Sequence, residues 1–459
     1  MRGVVRNAHT LAGLLVAPLI LVAALTGLFY AVSPTLEKLA YREELTATSQ
    51  DQPKPLSEQV AAAQEAYPGL ALKGVRASEN PGDTTRVLLA DPELGPAKKF
   101  SRAVFVDPGS LEIKGDLVQY GTSGSLPLRT WISHGHKELW LGQPGRVYSE
   151  VAATWLGPLA VTGVVLFLAT RVRNRAPARR GSRRYAKEKH ALLGLIVAPG
   201  MIFLCVSGLT WSLVAGNTIA QVRTHLDWMA PTPDTAVAAS ASLEAEPGAA
   251  GRDPLDTVLA AARAEGLTGY IDLTASKDGE GAWKVVEARQ PFRFATDAVA
   301  VDGHTGAVVD SVPFSSWPLA AKATSWIIQL HMGTLLGIYT QIALGAVALF
   351  IIALGAVALF IIAVVVLGYL AWWRRRRHQR SLPSLSPWAA VPGWGKAALL
   401  AACVAYSVIA PLFAASMVVL VALSFLMEAV RTVRTVRAAR GREGRGEHVR
   451  PRQDSNPRQ

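Results

Sequence analysis

Two stretches decide the fold: HTLAGLLVAPLILVAALTGL at residues 9–28 and HALLGLIVAPGMIFLCVSGL at residues 190–209. Laid on one another at an offset of 181, they share nine of twenty positions: His, Leu, Gly, Leu, Val, Ala, Pro, Gly and Leu. Neither holds a charge after its histidine, and each is long enough to cross a hydrocarbon core, which takes ~20 apolar residues of helix. Self-similarity at a fixed offset marks a duplicated unit. A second echo follows each stretch. HKELWLG at 136–142 lies on HMGTLLG at 331–337, offset 195, sharing a histidine with leucine and glycine five and six positions later.

Working outward, apolar runs gather near 10–33, 151–170, 190–214, 342–371 and 397–429. Charge fills the gaps between them unevenly. Of 47 Lys and Arg, 25 fall in four short segments, 1–8, 171–189, 374–380 and 431–459, which hold only Glu188, Glu443, Glu447 and Asp454 as acids. A nucleic-acid binder spreads basic charge over a folded face. Here the basic blocks abut apolar runs, as the positive-inside rule requires of cytoplasmic segments. Nucleic acid is therefore excluded as a partner, and the lipid bilayer is the expected one. The two cysteines, Cys205 and Cys403, sit inside apolar runs without CxxC spacing, so thiolate metal sites are not expected.

The expected fold is an all-α transmembrane bundle of four core helices plus a C-terminal helical hairpin. It carries two extracytoplasmic α+β domains and an internal two-fold repeat. Along the chain this gives helix one at 1–33, an outside domain at 34–150, helix two at 151–170 and a basic cytoplasmic loop at 171–189. Helix three at 190–214, a second outside domain at 215–325, and helix four with its preceding interfacial segment at 326–373 follow. A cytoplasmic loop at 374–396, a hairpin at 397–430 turning near Pro411, and a disordered basic tail at 431–459 complete it. Both termini are cytoplasmic on this reading. Within the outside segments, short helices are expected at 57–67 and 254–265. Strands are expected at 86–90, 103–106, 283–288 and 298–301, with turns at Asp107 and Asp302 and a linker at 231–252. The decapeptide IALGAVALFI at 342–351 recurs letter for letter at 352–361, a tandem duplication with no evident chemical purpose.

The repeat places four histidines in matched pairs: His9 with His190 at the cytoplasmic mouth, and His136 with His331 on the outer side. A six-coordinate haem iron takes two neutral imidazoles on opposite faces, and a two-fold repeat supplies them from separate segments. His134 competes with His136 as ligand. Gly13 and Gly194 follow their histidines by one helical turn and leave room for a flat macrocycle. A span of ~25 residues is about 37 Å long, so each ligand pair must share one depth. The interfacial tryptophans are explained by the aromatic belt.

These pieces, with HGHKELWLGQPGRVYSEVAATWLGPLAVTG, LHMGTLLG and PLFAASMVVLVAL, resemble the PepSY-associated transmembrane family, also known as PiuB-like iron-regulated membrane proteins. AVFVDPGSLEIKG and AVAVDGHTGAVVD look like PepSY segments closing the two outside domains. The resemblance covers about residues 1–430. It departs from the family's habit at Thr10 and Ala191, where a basic residue usually follows the histidine, and at the end of helix two, where LATRVR stands. The resemblance implies two haem b groups ligated by His9, His136, His190 and His331, in the plasma (inner) membrane of a bacterium. It further implies a quinol or cytoplasmic electron donor and reduction of a ferric chelate or siderophore outside. The competing expectation is a membrane-anchored PepSY module that binds a protease, peptide or envelope partner without redox chemistry. No Gly-rich dinucleotide fingerprint follows a strand, and no catalytic residue is legible.

Overall fold

The computed structural model describes residues 2–95, 99–121, 123–171, 183–236, 253–275, 282–352 and 386–443. The chain forms two compact units. Unit 1 comprises Met1–Ile20, Thr154–Ile202 and Leu354–Gln459; unit 2 comprises Leu21–Ala153 and Phe203–Ala353.

Among the described residues three helices are long and apolar enough to cross a membrane: α1 (Arg2–Ala40), α5 (Gln143–Arg171) and α6 (Arg183–Leu209). Pro158 and Pro199 lie inside α5 and α6, tolerated because neighbouring helices and hydroxyl side chains re-satisfy the freed carbonyls of an apolar helix. Short helices α2 (Arg42–Leu45) and α7 (Ala215–His225) follow α1 and α6, and a shorter apolar helix, α10 (Ile338–Ile352), opens the fourth expected span. The rest of that span, most of the second decapeptide copy and the loop to 385 lie outside the described residues, as does most of the linker. Two short helices each stop just ahead of an apolar one. These are α4 (Pro127–Glu138), ending next to His136, and α9 (Leu319–His331), ending on His331.

Unit 2 contains one antiparallel sheet of eight strands in the order β4-β3-β2-β1-β5-β6-β7-β8. Its first four strands are β1 (Ala71–Ala77), β2 (Thr85–Ala90), β3 (Phe100–Val106) and β4 (Ile113–Tyr120). The last four are β5 (Ile271–Thr274), β6 (Trp283–Glu287), β7 (Ala298–Val301) and β8 (Val308–Val312). The seam is β1 against β5, with Arg76 opposite Asp272 in register. There the guanidinium donates twice to the carboxylate, at 2.6 and 2.7 Å, the bidentate geometry that makes such pairs strong. The two segments expected as separate α+β domains thus share one sheet and one core, because β1 and β5 pair edge to edge. Val75, Val87, Val104, Ile271, Leu273, Val285, Val299 and Val301 point to the same face. On it lie α3 (Leu56–Ala66) and α8 (Pro254–Ala264), through Leu56, Val60, Ala63, Val258 and Ala262. Asp256 of α8 accepts from the Leu56 amide at 2.6 Å and so caps the first turn of α3 with a favourable charge.

The expected strands are present as β2, β3, β6 and β7. β1, β4, β5 and β8 were not foreseen, because they are short or mix Lys, Gly and Asp into the alternation. Each half ends in a turn built on an aspartate. Asp107 accepts from the amides of Thr48, Ser49, Gly109 and Ser110 at 2.7 to 3.2 Å. Asp302 accepts from those of His304 and Thr305, both at 2.8 Å.

In unit 1, α11 (Gly393–Ile409) and α12 (Pro411–Glu443) are separated by a break at Ala410, where proline removes an amide donor and ends the preceding helix. Tyr406 and Phe413 pack across the break, with centroids 4.8 Å apart. Trp155 of α5 donates to Ser416 at 2.9 Å and packs on Phe413, and Tyr406 donates to the Thr154 carbonyl at 2.8 Å.

Candidate histidine-pair site

In unit 2, His136 at the end of α4 lies against α1. Its Nδ1 is 3.2 Å from the Thr26 hydroxyl, and a Cβ added to the next residue, Gly27, would stand 3.1 Å from its Cε1. His331 at the end of α9 lies against α6 in the same manner. Its Nδ1 is 2.7 Å from the Ser207 hydroxyl, and a Cβ on Gly208 would stand 3.7 Å from its Cε1. Both hydroxyls already donate back along their own helices, Thr26 to the Val22 carbonyl at 2.9 Å and Ser207 to the Phe203 carbonyl at 2.7 Å. A hydroxyl has one proton to give, so with that proton on the helix carbonyl each hydroxyl is placed to accept from Nδ1–H. In the tautomer with the proton on Nδ1, Nε2 keeps its lone pair and could serve as a metal ligand.

Unit 1 repeats the device once. His9 Nδ1 lies 2.9 Å from the Thr162 hydroxyl of α5, which donates to the Pro158 carbonyl at 2.6 Å. Gly163 follows, its added Cβ 3.4 Å from His9 Cε1. Three hydroxyl–glycine dipeptides, Thr26-Gly27, Thr162-Gly163 and Ser207-Gly208, therefore each cradle one histidine. His190 is the exception: its Nδ1 is buried without a hydrogen-bond partner among the described residues. It faces His9 with ring centroids 6.4 Å apart and planes at 74°.

The remaining candidates are placed as follows. A Cβ on Gly13 or on Gly194 would meet nothing within 4 Å, so both present open backbone one turn beyond the His9–His190 pair. His134 is turned away from α1; its Nδ1 bonds to Glu138, and its ring lies 5.4 Å from that of Tyr120. His136 and His331 are within electrostatic reach of each other. Tyr30 stacks on His136 at 5.7 Å and 12°, and Trp211 meets His331 edge-on at 5.5 Å. Arg129, two turns before His136 on α4, is 93 % buried, 3.7 Å from a Glu37 carboxylate oxygen, with its Nε unpartnered among the described residues. No group of three or more His, Cys, Asp and Glu stands close enough to hold a metal ion among the described residues.

Sequence reading missed Thr26, Ser207, Thr162, Tyr30, Arg129 and Trp211. A signal for two of them was present, since Thr26-Gly27 and Ser207-Gly208 occupy matched positions of the repeat. Away from the helices, burial acts to raise the Asp107 carboxyl, but its backbone amide donors prevail and hold it down to about 2. Arg86, buried on β2 opposite Arg76, is lowered to about 10 by desolvation first and by Arg76 second.

A search of curated proteins finds no match. A family model described as the PepSY-associated TM region matches residues 6–375, which include all four paired histidines and every strand of the sheet. With its apolar helices and its α+β region, the chain is a membrane protein that belongs to the PepSY-associated transmembrane family.

Proposed function

We propose that the protein is a haem b electron carrier of a bacterial plasma membrane that reduces a ferric chelate, such as a ferric siderophore, on the outer side. The observation that carries this reading is the hydroxyl–glycine cradle at three of the four repeat histidines, each setting a hydroxyl against Nδ1, which would leave Nε2 to ligate. His9 and His190 would hold one haem, with Gly13 and Gly194 giving it room. His136 and His331 would hold the other, with Arg129 available to an acidic side chain of the macrocycle. When bound, haem supplies a one-electron ferric/ferrous couple.

The chain's own residues do the rest. Thr162, Thr26 and Ser207 fix ring orientation and tautomer. Neutral imidazole brings no charge into a low-dielectric medium, where an ion is costly. Positive-inside placement of the basic blocks puts both termini in the cytoplasm and the sheet outside. The four spans then form a two-fold repeat, with His9 and His190 on the inner side. Electrons come from a quinol or a cytoplasmic donor. Reduction suits iron release, because hard oxygen donors favour the smaller, more highly charged ferric ion.

Protein purified from haem-replete cells is expected to show a Soret band and, by pyridine haemochrome, two haem b per chain. Colourless protein overturns the reading.

A further inference from the structure

The turn between α4 and α5 carries two consecutive non-glycine residues with positive φ, Leu139 at 49° and Trp140 at 55°. Such backbone is strained and persists where surrounding structure enforces it, often at functional surfaces. Enforcement is visible here. A Cβ on Gly135 would stand 2.4 Å from the Trp140 ring, and one on Gly145 would stand 1.7 Å from the Glu138 carbonyl oxygen. The strained turn holds Trp140 beside Trp131 at 4.6 Å, its indole N–H donating to the Trp131 carbonyl. Both rings remain about half exposed.

Charge gathers at the same place. Arg146 and Lys99 are each within electrostatic reach of Lys137, as is Glu138. Lys137 sits over the Tyr120 ring at 5.1 Å and Arg146 donates to the Trp211 carbonyl. Neither has a carboxylate at ion-pair distance among the described residues, and the nearby Glu138 is taken by His134. Trp211 in turn touches His331. The matched positions of the second half are Met332 for Lys137, Leu335 for Trp140 and Gln341 for Arg146. The repeat does not require these residues, and basic residues outside run against the topology signal.

Resting on the ferric-reductase reading, we infer that this aromatic and basic turn docks the substrate, and that the substrate is an anionic ferric chelate. Indole faces bind the apolar or aromatic rim of such a complex, while Lys137 and Arg146 meet its charge.

The experiment uses the full chain in nanodiscs and follows quenching of tryptophan emission by two probes, anionic ferric tris(catecholate) and a cationic ferric tris(hydroxamate). The anionic probe is expected to bind about tenfold or more tighter, and the Lys137→Glu/Arg146→Glu variant to lose about that factor for it alone. Haem content, measured on the same samples, is expected to stay unchanged. Equal quenching by both probes, or no effect of the variant, overturns the docking proposal. Anionic lipid in the disc that abolishes the preference also overturns it, making the turn a headgroup site. Protein without haem that still prefers the anionic probe sinks the reductase reading and leaves the docking surface standing.

Discussion

The two histidine pairs begin from the same repeat and are finished differently. In unit 2 both rings have a hydroxyl on Nδ1 and a glycine beneath Cε1. In unit 1 His9 has both, whereas His190 Nδ1 is buried with no partner among the described residues. An imidazole whose N–H is accepted by a neighbour is a more basic ligand than one left orphaned. The pair in unit 2 is thus matched and the pair in unit 1 is unequal, although their sequences look alike.

On the proposed reading the largest effect comes from removing a ring. His136→Ala and His331→Ala are each expected to lose the same haem, and His9→Ala and His190→Ala the other, leaving about half the haem per chain. Pyridine haemochrome with low-temperature spectra checks this; losses that group His9 with His136 break the comparison.

Next come the hydroxyls. Thr26→Val and Ser207→Ala are expected to weaken haem retention at the unit 2 pair by about ten- to a hundredfold and to raise its midpoint potential, with Thr26→Ser restoring both. Thr162→Val makes His9 resemble His190 and acts on the other centre alone. A spectroelectrochemical titration in which Thr26→Val shifts both centres equally rejects the local account.

The paired aspartates sharpen the comparison outside the membrane. Asp107→Asn is expected to cost about 2 kcal/mol, and Asp302→Asn about half that, since it holds two amides rather than four. The sign follows from a folded value near 2, below the unfolded ~3.9. The Asp107 contribution is full above about pH 4 and is lost as pH falls through 2. Fluorescence-detected melts of both variants between those values, compared with the unsubstituted protein, check it.

The smallest effect separates two glycines. Gly27→Ala meets His136 at 3.1 Å and is expected to displace the ring and lower haem content. Gly208→Ala meets His331 at an ordinary 3.7 Å and is expected to be tolerated, with about 1 kcal/mol gained in helix propensity. Equal haem in both variants removes the distinction.

What the sequence determined by itself is whatever depends on local composition. The apolar runs, the flanking basic blocks and the offsets of 181 and 195 identify spans, a repeat and the four paired histidines, because lipid selects on stretches of ~20 residues. Family membership follows from the same residues. Tertiary structure alone decided the joining of the two segments in one sheet, because β1 and β5 meet across almost two hundred residues and each is too short or too polar to announce itself. It also decided the choice between neighbours. His134 and His136 are equivalent in composition, but two residues along α4 point in different directions, one to Glu138 and the other to Thr26 and Gly27. Pairings such as Thr162 with His9, or Arg146 of α5 with Trp211 just beyond α6, depend on how helices are rotated about their axes by packing, which no one-dimensional pattern records.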